Sequence, residues 1–307
     1  MMSGDGVIRS LAALRERAAE LPTRRVAVAA ATGAETLKAA VIARAGEFAE
    51  PILVGPLADI RQGLAALEAD PAWFEIVQAG DSAEAATVSV GLVRDGTADI
   101  LLKGAISTSS LMRAELEPER GLRGEGLLSD VFIFDFVAGL EARIVGITDG
   151  GVIPRPTLDQ KAQILGNAVQ AFHALGVRQP RVALLAAVET VTEAFPSTGE
   201  AAELAVRFRE AEQTEFLADG PLAVDIALSA EAAALKAYES PVAGAADVLL
   251  FPDLESANMA AKSVEYVASL DPAHCILGAR APILIPSRSE TAAARLSSIA
   301  FGAILSV

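Results

Sequence analysis

Short apolar runs alternate along this chain with longer stretches whose apolar positions return every three or four residues. The first pattern is that of a strand buried on both faces, the second that of a helix with one buried stripe. Asp5 and Arg9 bracket a short amphipathic helix. A strand follows over 25–30, then the turn 31–35 and a helix through 45. The same alternation predicts strands over 50–55, 74–78 and 99–102 and helices over 57–67 and 81–94. Residues 117–128 turn to charge and glycine, which predicts a solvated loop carrying Arg120 and Arg123. Two apolar runs, 129–136 and 142–148, split by Gly139, read as paired strands. Beyond the turn 149–156 come helices over 158–175, 199–212, 231–237 and 256–269 and strands over 181–188, 216–218, 247–251, 274–278 and 282–285. Asp219-Gly220-Pro221 reads as the loop ending the 216–218 strand, and a last helix runs to 304.

Strands alternating with helices of this length predict an α/β fold with mostly parallel sheets and helices on both faces. With 307 residues, 52% of them hydrophobic, the chain is long enough for two such three-layer α/β/α domains with a cleft between them. The apolar runs are broken by charge or proline well before the length of a membrane helix, so no membrane partner is expected. The N-terminus lacks the long apolar region of a secretory signal, and the single cysteine, Cys275, cannot form an intrachain disulfide. Both point to the cytoplasm. A net charge of −15 argues against nucleic acid and requires that any anion be held by local cations.

The stretch 98–113 carries the most concentrated chemistry. An apolar strand ends in Lys103-Gly104, and Ser107, Thr108 and Ser109 open a helix bearing Arg113. Free N–H groups and the dipole at such a helix start favour an anion, to which Lys103 and Arg113 add charge. Plain capping by Ser107 or Thr108 accounts for the same residues. Ligands of open α/β sheets sit at the carboxyl ends of strands, and those ends supply Asp149, Asp219-Gly220-Pro221, Asp253 with Asn258, and Ser287-Arg288. Ser287-Arg288 suits a phosphate, a forked guanidinium beside a hydroxyl; the alternative is an N-capping serine with an exposed arginine. His173 and His274 read as structural. No HExxH, histidine–cysteine metal cluster or GxSxG turn is present, so no metal is expected.

Taken in order, Leu-Leu-Lys-Gly-Ala-Ile-Ser-Thr ending at Thr108, Ile147-Thr148-Asp149, Leu185-Ala186-Ala187-Val188-Glu189-Thr190-Val191, Asp219-Gly220-Pro221-Leu222, Pro252-Asp253-Leu254-Glu255 with Asn258, and Gly278-Ala279-Arg280-Ala281-Pro282 with Ser287-Arg288 resemble the phosphate acetyltransferase and butyryltransferase family. The chain is most similar to the butyryltransferase branch and to the acyltransferase domain fused behind some enoyl-CoA hydratases. The resemblance runs from about residue 25 to the C-terminus. It implies two domains of the isocitrate/isopropylmalate dehydrogenase type, 1–142 completed by 288–307 and 143–287, with the active site in the cleft between them. It also implies a homodimer acting on small molecules, acyl-CoA and phosphate, with coenzyme A as substrate and no permanently bound cofactor. Ser287 and Arg288 match the family's catalytic pair, and Arg113 matches an arginine near the phosphate. The acetyl branch places an aspartate seven residues after the serine, where Ala294 stands; the butyryl branch places one three residues after it, where Glu290 stands and becomes the candidate thiol base. Ile153 replaces an asparagine of the family pattern and Asp130 a histidine.

Two further readings stand beside this one. A catalytically silent paralogue binding coenzyme A or an acyl phosphate in a regulatory or scaffolding role would also tolerate Ile153 and Ala294. A metal- and NAD-dependent decarboxylating dehydrogenase is disfavoured, because Asp219 and Asp253 have an easier role as turn residues.

Overall fold

The computed structural model describes residues 6–124, 126–138, 141–211 and 215–306; Asp5, Gly139 and Glu212 lie outside the described residues. In chain order the elements are α1 (Leu11–Ala19), β1 (Arg24–Ala29), α2 (Ala34–Ala45), β2 (Ala49–Gly55), α3 (Leu57–Ala66), β3 (Glu75–Gln78), α4 (Ser82–Arg94), β4 (Ile100–Lys103), α5 (Thr108–Glu115), β5 (Ser129–Ala138) and β6 (Glu141–Thr148). Then follow α6 (Leu158–Ala174), β7 (Arg181–Leu185), α7 (Pro196–Glu210), β8 (Leu217–Leu222), α8 (Val224–Leu228), α9 (Ala230–Leu235), β9 (Val248–Leu250), α10 (Leu254–Tyr266), β10 (Ala273–Leu277), β11 (Ile283–Leu284) and α11 (Ala292–Leu305). The alternation expected from the sequence is therefore present, with a mixed, mostly parallel α/β architecture.

Two compact units form. The first comprises Leu11–Gly126 with Asp271–Val307, the second Met1–Ser10 with Leu127–Leu270. These limits differ from 1–142 with 288–307 and from 143–287, for reasons of strand pairing. β5 and β6 are antiparallel partners from Phe132↔Ile147 to Ala138↔Glu141, and a division at 142 would cut that hairpin. Residues 271–287 supply β10 and β11, and β11 pairs with β4, so they belong with the first unit. The expected helix near Asp5 and Arg9 begins only at Leu11; before it, Ile8 N–H donates to the Leu175 carbonyl of the second unit.

In the first unit the strand order is β3-β2-β1-β4-β11-β10. β1, β2, β3, β4 and β11 run parallel, and β10 alone is antiparallel to its neighbour β11. β1 and β4 are apolar from Val26 to Ala29 and from Ile100 to Leu102, as strands covered on both faces must be, and Val26, Val28, Ile100, Leu101 and Leu102 are fully buried. α11 packs against α1, α2 and β10 and buries Ile299, Phe301 and Ile304 there. β4 leaves the sheet through Gly104. A Cβ at that position would lie 2.4 Å from the Ala30 carbonyl oxygen and 2.6 Å from that of Ala29, so only glycine lets the chain pass while Gly104 N–H donates to Ala29 and Ala105 N–H to Ala30.

In the second unit the order is β5-β6-β9-β7-β8. β6, β9, β7 and β8 are parallel, and Thr148, Leu250, Leu184 and Leu222 stand near one edge by register. The apolar core of this unit gathers Phe132, Val145, Ile147, Leu185, Leu222 and Leu249. Asp219-Gly220-Pro221, expected as a loop, lies inside β8. β8 is the edge strand, and the register shift between Ala183 and Leu185 absorbs the proline, which has no N–H to give a ladder.

Two outcomes follow. Gly104→Ala should cost about 1–3 kcal/mol in chemical denaturation, because β1 and β4 must separate to admit the methyl group; an unchanged midpoint would contradict the close approach. Glu115, the last residue of α5, is 1% exposed with neither carboxylate oxygen hydrogen-bonded, and burial pushes it from 4.5 up to about 8. A folded value above the unfolded one means that its neutral form supports the fold fully below about 4.5 and loses that support as pH rises towards 8. The melting temperature of the native chain should therefore fall, relative to Glu115→Gln, between pH 5 and 8; parallel profiles would refute this.

Candidate functional site

The first unit brings the strand exit of β4 beside that of β11. Leu102 pairs with Leu284, so Lys103 stands level with Ile285, and Gly104 and Pro286 leave adjoining parallel strands at the same edge. From that edge the chain runs on one side into Ser107, Thr108 and Ser109 and on the other into Ser287 and Arg288. Ser107 caps α5: its Oγ accepts the Ser110 N–H at 3.1 Å and donates to Ser110 Oγ at 2.7 Å. The capping reading of this serine therefore holds, and it leaves the anion reading of the turn open. Lys103 is buried, 4% exposed, with its Nζ donating to Thr108 Oγ1 at 3.3 Å. Arg113 and Arg288 are exposed at the surface of this unit.

The loop from Ser287 to Thr291 is held by Glu290 and by Arg295 and Glu35, two charged side chains from outside it that sequence reasoning did not place there. Glu290, the candidate base, is 4% exposed, and its Oε1 accepts the Ser287 N–H at 2.7 Å. Its Oε2 lies 3.4 Å from His274 Nε2 on β10. Arg295 on α11 donates from one terminal nitrogen to the Ser287 carbonyl at 2.7 Å and from Nε to the Glu290 carbonyl at 3.3 Å. Burial lowers the Arg295 pKa from its ordinary value, while the charges of Glu290 and Glu35 pull the other way. Thr291 caps α11 through the Ala294 N–H at 3.1 Å and donates to Asp271 at 2.8 Å, and Glu35 of α2 takes the Ala292 N–H at 2.8 Å. The Ser287 hydroxyl is half-buried and lies 3.2 Å from Ser289 Oγ. Arg295 had a signal in the sequence: it is the sole charge in a helix otherwise made of Ala, Leu, Ile, Phe, Ser and Gly.

The second unit gathers the other candidates at the carboxyl edge of its sheet. Asp149 follows β6 and is 4% exposed. Its Oδ1 accepts N–H groups of Asp130, Gly151 and Val152 at 3.0, 3.0 and 3.1 Å, and its Oδ2 that of Ile153 at 2.8 Å. Burial pushes this carboxyl up to about 6 against the pull of those donors. Asp149 thus organises the turn 150–153, and Ile153 enters through its backbone. Asn258 reaches the same turn, donating to the Gly150 carbonyl at 3.0 Å. Asp253 caps α10 through the Ser256 N–H and hydroxyl, both at 2.8 Å. Burial works to raise its pKa, but those bonds and the charges of Lys161 and Arg155 outweigh it and leave it below the usual value. Asp219 accepts the Gly220 N–H at 2.9 Å, and Pro221 accepts the Tyr238 hydroxyl at 3.3 Å. A cavity of about 610 Å³ opens beside Asp253, walled by Leu185, Phe195, Val224 and Phe251.

The candidates therefore fall into two sets. Lys103, Gly104, Ser107, Thr108, Ser109, Arg113, Ser287, Arg288 and Glu290 lie in the first unit, and Asp149, Asp219, Gly220, Pro221, Asp253 and Asn258 in the second. Among the described residues no group of three or more His, Cys, Asp and Glu converges as metal ligands, and no helix is long and apolar enough to cross a membrane. His173 is exposed, with Nε2 3.1 Å from the Glu215 carbonyl.

Comparison with known proteins bears on the whole chain. The family model described as Phosphate acetyl/butaryl transferase matches residues 81–303. A phosphate acetyltransferase of Rhizobium meliloti is 41% identical over 254 residues, 83% of this chain and 80% of that protein. A phosphate butyryltransferase of Clostridium beijerinckii is 36% identical over 292 residues, 95% of this chain and 96% of that protein. Among solved structures, a branched-chain phosphotransacylase from Enterococcus faecalis V583 superposes with a TM-score of 0.82 at 29% identity, covering 92% of this chain and 99% of that one. The chain belongs to the phosphate acetyl/butyryl transferase family and is an acyltransferase of that kind.

Proposed function

We propose that this acyltransferase exchanges phosphate and coenzyme A on a short acyl group, with Ser287 and Arg288 at the reacting centre. The observation that carries the assignment of residues is the level exit of β4 and β11, which sets Ser287-Arg288 beside the turn after Lys103-Gly104. The names of the relatives, acetyltransferase and butyryltransferase, support an acyl chain of that range.

The coenzyme A thiol, with an ordinary pKa of roughly 8.5, loses its proton and attacks the carbonyl carbon of the acyl phosphate. Carbon–sulfur bond formation gives a tetrahedral oxyanion, and its collapse breaks the carbon–oxygen bond and releases phosphate; the reverse sequence makes acyl phosphate. Arg288 and Arg113 neutralise the phosphate, with Lys103 and the N–H groups at the start of α5 adding to the field. The Ser287 hydroxyl donates to the oxyanion, a contribution worth about 3 kcal/mol per donor. Holding both substrates together supplies proximity. In this reading Asp149, Asn258, Asp253 and the Asp219-Gly220-Pro221 segment shape the substrate-facing turns of the second unit. The family resemblance further supports a cytoplasmic homodimer without a permanently bound cofactor.

Thiol release from acetyl-, propionyl- and butyryl-CoA should depend on added phosphate, and its absence with all three would overturn the reaction. Arg288→Ala should abolish measurable turnover, and Ser287→Ala should lower it by about 10²–10³-fold. Wild-type rates in either variant would remove that residue from the centre.

A further inference from the structure

Ser287 follows a two-residue strand, so its main-chain N–H and C=O have no ladder partners to fix them. Charged side chains take both, and the main-chain N–H of Glu290 also donates to the Ser287 carbonyl at 3.2 Å. Glu290 accepts the N–H at 2.7 Å and Arg295 donates to the carbonyl at 2.7 Å, and each of these side chains is 4% exposed. Hydrogen bonds with one ionised partner are shorter and roughly twice as strong as neutral ones. The Ser287 hydroxyl lies 3.2 Å from Ser289 Oγ of the same loop, while the Ser287 main chain is held by the bonds above.

Burying a carboxylate and a guanidinium is costly, and well-packed apolar residues of the same volume often serve stability as well or better. Arg295 sits in a helix that otherwise carries no charge, so an apolar residue there would extend the existing pattern. What these two hydrogen-bonding side chains supply, and an apolar pair does not, is a fixed peptide geometry at residue 287, and with it a fixed Cα–Cβ direction. His274 stands on the far side of Glu290, its Nε2 3.4 Å from Oε2, and its own N–H donates to Ser298 of α11 at 3.1 Å. It limits how the carboxylate can turn and so keeps Oε1 on the Ser287 N–H.

We infer that Glu290 and Arg295, with His274 behind Glu290, are positioning residues that clamp the Ser287 peptide and so aim its hydroxyl, and that Glu290 is not the thiol base. The inference rests on the assignment of Ser287 to the reaction. The two roles for Glu290 separate by chemistry. A base needs an ionisable oxygen, whereas a clamp needs an acceptor, which a glutamine amide oxygen also supplies.

The test is steady-state kinetics with phosphate and whichever of acetyl-, propionyl- and butyryl-CoA turns over fastest, with thermal melting of every variant. Glu290→Ala should lower kcat by about 10–100-fold with KM for acyl-CoA within about twofold, the scale of loss expected when a reacting group is misplaced by an ångström. Glu290→Gln should recover kcat to within about fivefold of the native chain, and Arg295→Lys should retain more kcat than Arg295→Met. In a Ser287→Ala background, Glu290→Ala should cost less than about threefold, because the group it aims is gone. Glu290→Gln as inactive as Glu290→Ala, with a native melting temperature, would overturn the clamp in favour of a base. So would the same loss from Glu290→Ala in both backgrounds, which would mean that Glu290 acts independently of Ser287. Wild-type turnover in Ser287→Ala would remove the serine from the reaction and the clamp with it, whereas a slow Ser287→Ala with independent losses sinks the clamp alone.

Discussion

The parallel pairing of β11 with β4 is the constraint on which the candidate centre depends. It joins Ile283 to Leu101 and Leu284 to Leu102, residues far apart in the sequence, inside the first unit's sheet. Because β4 is held on its other side by β1, its exit can go only one way, over the Ala29 and Ala30 carbonyls through Gly104. The turn that opens α5 and the loop that opens α11 are then neighbours by register. No long-range attraction between Ser287 and Lys103 is required; sheet hydrogen bonds and the buried Ile100, Leu101, Leu102, Ile283 and Leu284 set their proximity.

A chain of net charge −15 that handles anionic substrates has to solve a local electrostatic problem. The solution proposed here is positional. Lys103 and Arg288 are supplied from β4 and from the loop before α11, near the start of α5 whose own N–H groups favour an anion, and Arg113 from the last turn of α5. The acids near the second unit's strand ends are meanwhile engaged with backbone donors. Asp149 meets four N–H groups, and Asp253 meets the N–H and hydroxyl of Ser256. Their charges are occupied in shaping turns.

Much of this was legible in the sequence because it is written in short-range patterns. The apolar period identified most strands and helices, Ser107 announced a helix start, and Ser287-Arg288 was placed just after a strand. Unit boundaries were less legible, because they depend on which strands pair. Nothing local says that β5 belongs with β6 across a division at 142, or that 271–287 return to β4. β8 was foreshortened because Gly-Pro usually ends a strand, and only an edge position with a register shift accommodates it. Glu290 was the least legible of all. At the first turn of a helix a glutamate reads as a solvated group answering the dipole, and only the fold shows it covered by His274 and bonded to Ser287.

The contrast between Glu115 and Glu290 explains why burial alone says little about role. Both carboxyls belong to the first unit and both are almost wholly covered. Glu115 has no hydrogen-bond partner at either oxygen, so its environment favours the neutral form, and an ionised Glu115 would burden α5 with an uncompensated charge. Glu290 has the Ser287 N–H at Oε1, His274 near Oε2 and Arg295 bound to its own carbonyl, an arrangement able to accommodate a negative charge. The same residue type thus faces opposite electrostatic surroundings within one unit. The surroundings of Glu290 are directed at a single peptide, the one that carries the serine. A carboxylate so committed has little freedom to receive a proton from a thiol.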